Sequence, residues 1–327
     1  MSIPTSQIIP PSTTEVAEMI RSYVDSLGYE RTVVTLDLQL KSEVMAVPTS
    51  WSLGVEKNPR YVAVVHNSVG MADWVYRHHP FEIKVFVSLW TWRVFPFSVF
   101  SILVDDQAAE LRIPLEQFHL RLLTAEPQMD PLLDRLVLLF QQTPRYWDPI
   151  CASAIVCSFL DFINYTIIQE RAEVKSKRDQ VQSASWPPYI RAKDGQPDAF
   201  AYMVFTRDAC PDVSVYLHAI PDISTFINLT NDVLSFYKEE LAGDKHNLVH
   251  GRAQTSGATP LDELASIKDE CLAAIRRVRA MLHGKGKYEE AWQACFPDHS
   301  MFHTATDRYR LSEIGLGQDV VEINSNT

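Results

Sequence analysis

Within the run Ile223 to Leu241 lies the stretch Asn231-Asp232-Val233-Leu234-Ser235-Phe236-Tyr237-Lys238-Glu239, and its reading decides the fold. Apolar residues recur there every three or four positions, the period of a helix face, while polar groups stand inside the apolar frame. Asn231, Ser235 and Glu239 are spaced i, i+4, i+8, so they drift only about 80° around the axis while rising roughly 12 Å. An amide oxygen, a hydroxyl and a carboxylate thus share one ridge. These are hard oxygen ligands of the kind Mg²⁺ accepts when water and phosphate oxygens complete its shell. A solvated helix face is the other reading of the same spacing.

Working outward, the helical period continues on both sides of this segment. Ser12-Thr13-Thr14-Glu15 has the form of a capping box, followed by the stripe Val16, Met19, Ile20, Tyr23, Val24, Leu27 and a stop at Gly28. Asn58-Pro59, Asp130-Pro131 and Asp148-Pro149 each place a capping side chain before a proline suited to a first helical turn. The pattern predicts helices near 13–27, 59–77, 81–104, 114–124, 131–142, 149–175, 198–209, 222–242, 261–283 and 287–295. Thr32 to Leu38 is β-branched but lacks a hairpin partner and reads as an extended connection. Gln180 to Gln196 and Ala242 to Pro260 read as the longest loops. The chain is expected to be all-α, a single domain over 1–327, with no repeat.

Composition narrows the function. The 327 residues are 46% hydrophobic and 22% charged, enough to bury a large core. A net charge of −11 disfavours attraction to nucleic acid or to an anionic membrane surface, so an anionic substrate must be held by local cations. The five cysteines, Cys151, Cys157, Cys210, Cys271 and Cys295, are widely spaced and form no Cys-x-x-Cys pair, which argues against a disulfide framework or a thiolate zinc site. Met1 to Pro11 lacks the pattern of a signal peptide, and with free thiols this points to the cytosol. Phe81 to Val104 is long and apolar enough to span a bilayer, but Glu82, Lys84, Arg93 and Pro96 are expensive in lipid, so it reads as a buried core helix and stable membrane insertion is not expected.

Three further groups of residues bear chemistry. Asp105-Asp106 ends the apolar helix, with Glu110 close behind, at the negative end of a helix dipole where carboxylates need a cation or water. Arg191, Lys238 and Arg308-Tyr309-Arg310 supply cations that can hold a diphosphate, or serve as surface ion pairs. Phe81, Phe86, Trp90, Trp92, Phe95, Phe97 and Phe100 crowd the helix leading to Asp105. Their faces can line a pocket that stabilises a carbocation by cation–π contact, or simply fill the core.

Together these motifs resemble the trichodiene synthase-like branch of fungal class I sesquiterpene synthases. Asn231-Asp232-x-x-Ser235-x-x-x-Glu239, extended by Phe236-Tyr237-Lys238, is similar to the family's second metal motif. Asp105-Asp106 is similar to its aspartate-rich first motif, Arg191 to its diphosphate-sensing arginine, and Arg308-Tyr309 to its C-terminal arginine-tyrosine pair. The first motif departs from the family pattern, because Gln107-Ala108-Ala109-Glu110 follows where a further aspartate is common.

The resemblance implies a class I isoprenoid synthase bundle around a central cavity, with three Mg²⁺ ions and farnesyl diphosphate as substrate, and it allows a homodimer. It implies metal ligation by Asp105, Asn231, Ser235 and Glu239, diphosphate binding by Arg191, Lys238, Arg308 and Tyr309, and a catalytic part for Asp105, Arg191, Arg308 and Tyr309. A prenyl chain-elongating transferase shares the fold but normally carries two Asp-rich motifs. A helical protein that binds isoprenoid diphosphates without turnover is the alternative outside catalysis.

Overall fold

The computed structural model describes residues 11–50, 59–103, 108–177 and 183–323. Asp105 and Asp106, and Asn58 of the second capping pattern, lie outside the described residues. Fourteen α-helices are present among those described: α1 (Thr13–Ser26), α2 (Leu38–Ser50), α3 (Pro59–Gly70), α4 (Phe81–Leu103), α5 (Ala108–Thr124), α6 (Pro131–Tyr146), α7 (Pro149–Glu170), α8 (Ala172–Lys175), α9 (Trp186–Lys193), α10 (Pro197–Met203), α11 (Ile220–Ala242), α12 (Leu248–Ser256), α13 (Pro260–Leu282) and α14 (Lys287–Ala305). Two short strands, β1 (Val33–Asp37) and β2 (Asp319–Ile323), complete the fold.

Local chemistry sets the helix ends. Ser12 and Glu15 form the reciprocal capping box that starts α1, and Asp130 and Asp148 accept from the backbone of Leu132 at 2.7 Å and Ile150 at 2.9 Å ahead of Pro131 and Pro149. Each such cap stabilises its helix by about 1 kcal/mol. A further capping box, Thr259 with Asp262, starts α13. Gly243, at φ +69°, closes α11 in the left-handed conformation, and its N–H reaches the carbonyls of Glu239 and Glu240.

The strand pair corrects the expectation for Thr32 to Leu38. β1 runs parallel to β2 with Val33 opposite Asp319 and Asp37 opposite Ile323. A parallel partner across the whole chain leaves no hairpin signature, so local pattern cannot show it. The two expected long loops also prove partly helical, since α9 and α12 lie inside them, and α2 follows β1 where no helix was expected. Prolines account for other differences. Helix α5 begins before Pro114, α6 passes Pro144, and α14 passes Pro297 to reach Ala305, whereas a proline read locally marks a helix start or stop. Helix α10 stops at Met203 because the chain turns to cap α6: the Arg207 N–H donates to Tyr146 O at 2.9 Å, and its guanidinium donates to Pro144 O and Arg145 O.

One apolar cluster runs from Val16 to Leu316. Helix α11 crosses its middle, buried from Ile220 to Phe226 on one stripe and at Val233, Leu234 and Phe236 further along. Tyr23 of α1 places its hydroxyl 2.6 Å from Thr230 Oγ1 and 3.1 Å from Cys271 Sγ of α13, which fixes α11 from behind. Helix α4 buries Phe86, Val87, Trp90 and Trp92, in agreement with its reading as a core helix. Pro149–Gln169 of α7 is long and apolar enough to cross a membrane, yet it turns Cys151, Ile155, Phe159 and Phe162 into this core and pairs Asp161 with Lys193 at 2.6 Å. No disulfide links the cysteines: all five are free.

Candidate active site

The ridge expected on α11 is formed. Ser235 Oγ–H donates to Glu239 Oε1 at 2.6 Å, and Lys238 Nζ stands 3.4 Å from the same oxygen. Hydroxyl and carboxylate therefore converge on one point rather than facing separate patches of solvent. One turn earlier, Asn231 is partly buried and turns its oxygen toward Arg191. Among the described residues no three His, Cys, Asp or Glu side chains gather as a metal site. The donor set is instead a mixed amide, hydroxyl and carboxylate, a chemistry that fits Mg²⁺ and is poor for softer metals.

Arg191 projects from α9 toward this ridge. Its Nε lies 2.8 Å and 2.9 Å from the two Asp232 oxygens, Nη1 donates to Asp194 O at 3.2 Å, and Nη2 donates to Asn228 O at 3.1 Å and to Asn231 Oδ1 at 3.4 Å. Asn228 returns a bond from Nδ2 to Arg191 O at 2.9 Å, so helix α11 holds both ends of the residue. Burial pushes the Asp232 carboxyl up to about 6, and the Arg191 charge opposes it. Gly195 leaves room for this arrangement: at φ +74° it has no Cβ, and a Cβ there would sit 3.0 Å from Arg191 Nη1.

The C-terminal pair closes the other side. Arg308 and Tyr309 lie on a 3₁₀ turn, Asp307–Tyr309, directly after α14. The Tyr309 hydroxyl accepts from Asn231 Nδ2 at 3.3 Å, and Lys238 Nζ stands 5.7 Å from the Tyr309 ring centre. Burial pulls the Lys238 ammonium pKa down; Glu239 opposes the shift and the Arg308 charge adds to it. Arg310 follows in the left-handed region at φ +58° and forms a two-pronged contact with Glu313, which also accepts from Tyr237 of α11. Of the residues expected from sequence to act together, Asn231 joins Arg191 and Tyr309, Glu239 joins Ser235 and Lys238, Lys238 lies over the Tyr309 ring, and the Arg308 charge acts on Lys238. Asp105 lies outside the described residues, and Glu110 stands in the first turn of α5.

Sequence reasoning gave no role to Asp232, Asn228 or His303. Asp232 stood inside the quoted motif, but its partner is 41 residues away. His303 of α14 is buried, lies tilted against Tyr309 with ring centres 4.4 Å apart and stands 3.2 Å from Asn231 Nδ2, and burial holds its pKa well below the usual histidine value. Of the aromatic residues singled out on α4, Phe86 and Trp90 pack against Phe140, Trp147 and Phe159 with ring centres 5.1–5.6 Å apart. Such contacts mark a packed aromatic layer in the core.

The trichodiene synthase (TRI5) family model matches residues 3–325. The terpene synthase BipA of Cochliobolus sativus is 34% identical over 238 residues, covering 72% of this chain and 71% of that protein. The longiborneol synthase CLM1 of Gibberella zeae is 30% identical over 311 residues, covering 90% and 89%. In fold, the linalool/nerolidol synthase of Streptomyces clavuligerus is similar with a TM-score of 0.59 at 14% identity, over 84% of this chain and all of that one. The architecture is that of an all-α terpene synthase. The chain belongs to the trichodiene synthase family and is a terpene synthase, a lyase acting on a prenyl diphosphate.

Proposed function

We propose that the enzyme is a class I sesquiterpene cyclase, a single catalytic domain working in the cytosol, that ionises farnesyl diphosphate and cyclises the resulting cation. The observation that carries this reading is the convergence of the Asn231, Ser235 and Glu239 oxygens, on one helix, with the cations Arg191, Lys238 and Arg308 and the Tyr309 hydroxyl. An anion-binding face of this kind beside a hard-oxygen ridge suits a substrate whose leaving group is a diphosphate.

Asn231, Ser235 and Glu239, together with Asp105, would hold Mg²⁺, three ions in all, which would supply Lewis-acid withdrawal of electrons from the substrate's diphosphate oxygens. The bond between the allylic carbon and the diphosphate oxygen breaks, the electron pair leaves with the oxygen, and an allylic cation remains. Arg191 is fixed by Asp232, Asn228 and the Asp194 carbonyl, so its remaining donor capacity is aimed before the substrate arrives. Lys238, Arg308 and Tyr309 give positive charge and a hydroxyl donor to the departing diphosphate. The aromatic layer around Trp90 and Phe86 excludes water behind the reacting chain.

A relative named (E)-beta farnesene synthase, 23% identical over 95% of this chain, supports a C15 substrate, while another is named monoterpene synthase 25. The test is incubation with geranyl, farnesyl or geranylgeranyl diphosphate and Mg²⁺, with gas chromatography and mass spectrometry of the extract. A cyclic C15 product from farnesyl diphosphate is expected. Turnover only of geranyl diphosphate would move the assignment to monoterpenes. Undiminished turnover after exhaustive chelation would remove the metal.

A further inference from the structure

Of the three oxygen donors on α11, only Asn231 has a wrong way round. A serine hydroxyl rotates freely and the two oxygens of a carboxylate are equivalent, but an amide turned by half a circle presents N–H hydrogens to a cation instead of an oxygen. The surroundings of Asn231 decide the matter. His303 Nδ1 lies 2.8 Å from the His299 carbonyl, which can only accept, so the proton sits on Nδ1 and Nε2 carries a bare lone pair. That lone pair faces Asn231 Nδ2 at 3.2 Å, and the second hydrogen of the same amide reaches the Tyr309 hydroxyl at 3.3 Å. On the opposite side Arg191 Nη2 donates to Asn231 Oδ1 at 3.4 Å. Reversing the amide would set oxygen against a lone pair and N–H against a guanidinium.

We propose that His303 is a positioning residue: its imidazole, locked in the Nδ1–H tautomer by the His299 carbonyl, holds the Asn231 amide with nitrogen inward and oxygen outward toward the metal-binding face. This rests on the reading of Asn231 as a metal ligand. The ring is 1% exposed and wedged between Tyr309 and Phe302, with ring centres at 4.4 Å and 5.3 Å, so it has no freedom to swing away and release the amide. The role acts through Asn231, and His303 touches neither substrate nor cation.

The test is a pair of substitutions read by metal binding. His303→Phe keeps the ring volume and removes both nitrogens. Mn²⁺ binding in the presence of inorganic diphosphate, followed by electron paramagnetic resonance, should weaken by about 10- to 100-fold while circular dichroism stays that of the parent. In an Asn231→Asp background the same change should shift binding by less than about twofold, because a carboxylate presents an oxygen in either orientation. Equal losses in both backgrounds, or none in the Asn231 background, would overturn the orienting role. If Asn231→Ala itself leaves Mn²⁺ binding unchanged, the metal-ligand reading of Asn231 fails first, and the role of His303 falls with it. A second measurement needs no variant: long-range ¹H–¹⁵N correlation in the folded parent should show His303 protonated on Nδ1, and an Nε2–H tautomer would overturn the proposal.

Discussion

Arg191 Nε stands 2.8 Å and 2.9 Å from the two oxygens of Asp232, one residue beyond Asn231 on the same helix. The Arg191 guanidinium and the hard-oxygen ridge are therefore anchored to a single rigid element, and neither can shift without the other.

Arg191→Lys keeps the charge but loses the fork that spans Asp232, Asn228 and the Asp194 carbonyl. Each lost charge-assisted bond costs about 1.5–3 kcal/mol, so turnover should fall roughly ten- to a hundred-fold. Gly195→Ala should fall in the same direction, because its methyl would crowd Nη1 and the backbone would be held at φ +74°. Parental steady-state kinetics in both variants would show that the fork does not matter.

Ser235→Ala and Glu239→Gln should each raise the Mg²⁺ concentration needed for half-maximal turnover, by about ten-fold or more, with little change in the thermal melt. Asp105→Ala should lose most activity while Glu110→Ala is milder, since only Asp105 occupies the matched position of the first motif. Equal damage from both, in one assay on folded protein, would show that Glu110 shares the ligand role.

His79 makes stability depend on pH. Burial pushes its imidazole down to about 3, with the neighbouring His78 charge adding to this and the bond to the Met203 carbonyl opposing it. Below the unfolded value of 6.5 the unfolded chain takes a proton that the folded ring refuses. Its stabilising contribution is thus complete above pH 6.5 and is lost toward pH 3, at about 1.4 kcal/mol per pH unit. Asp298, raised to about 6 by burial against the Arg77 charge, works with the opposite sign below pH 6. The clean measurement is therefore a difference: denaturant unfolding of His79→Gln and the parent from pH 7.5 to 4.5, with the variant losing stability less steeply as pH falls.

Gln318 joins β2 to the rest of the protein. Its side chain accepts from Thr32 N at 2.6 Å and donates to Glu30 O at 3.1 Å, while its own N–H donates to Thr304 O at 3.1 Å near the turn that carries Arg308. Gln318→Ala should lower stability by about 1–2 kcal/mol and raise the KM for the diphosphate substrate more than it lowers kcat. Unchanged KM with lowered stability would confine the strand pair to a structural role.

Much of this was written locally in the chain. Ser12, Asp130, Asp148 and their following residues announced helix starts, and the spacing of Asn231, Ser235 and Glu239 announced the ridge, because caps and helix faces depend on neighbours within a turn or two. What stayed hidden depends on distant partners. Arg191 meeting Asp232, Arg207 capping α6, and β1 pairing with β2 are each settled by packing, and none leaves a local trace. His303 drew no reading from the sequence, because its meaning lies in which nitrogen faces Asn231. Pro297 misled in the opposite direction, since tertiary contacts carried α14 past a residue that usually ends a helix.

The parallel strand pair also sets an order on the making of the protein. Thr32 and the side chain of Gln318 bond across 286 residues, so the first segment must wait for one translated that much later before its edge is covered. At roughly 5–20 residues per second that wait lasts on the order of tens of seconds. During it the turn that carries Arg308 and Tyr309 has not yet been synthesised, and the Asn231 amide lacks the Tyr309 hydroxyl as an acceptor. The face on which Arg191, Asn231 and Tyr309 meet is therefore assembled only after the residues around 309 have been synthesised.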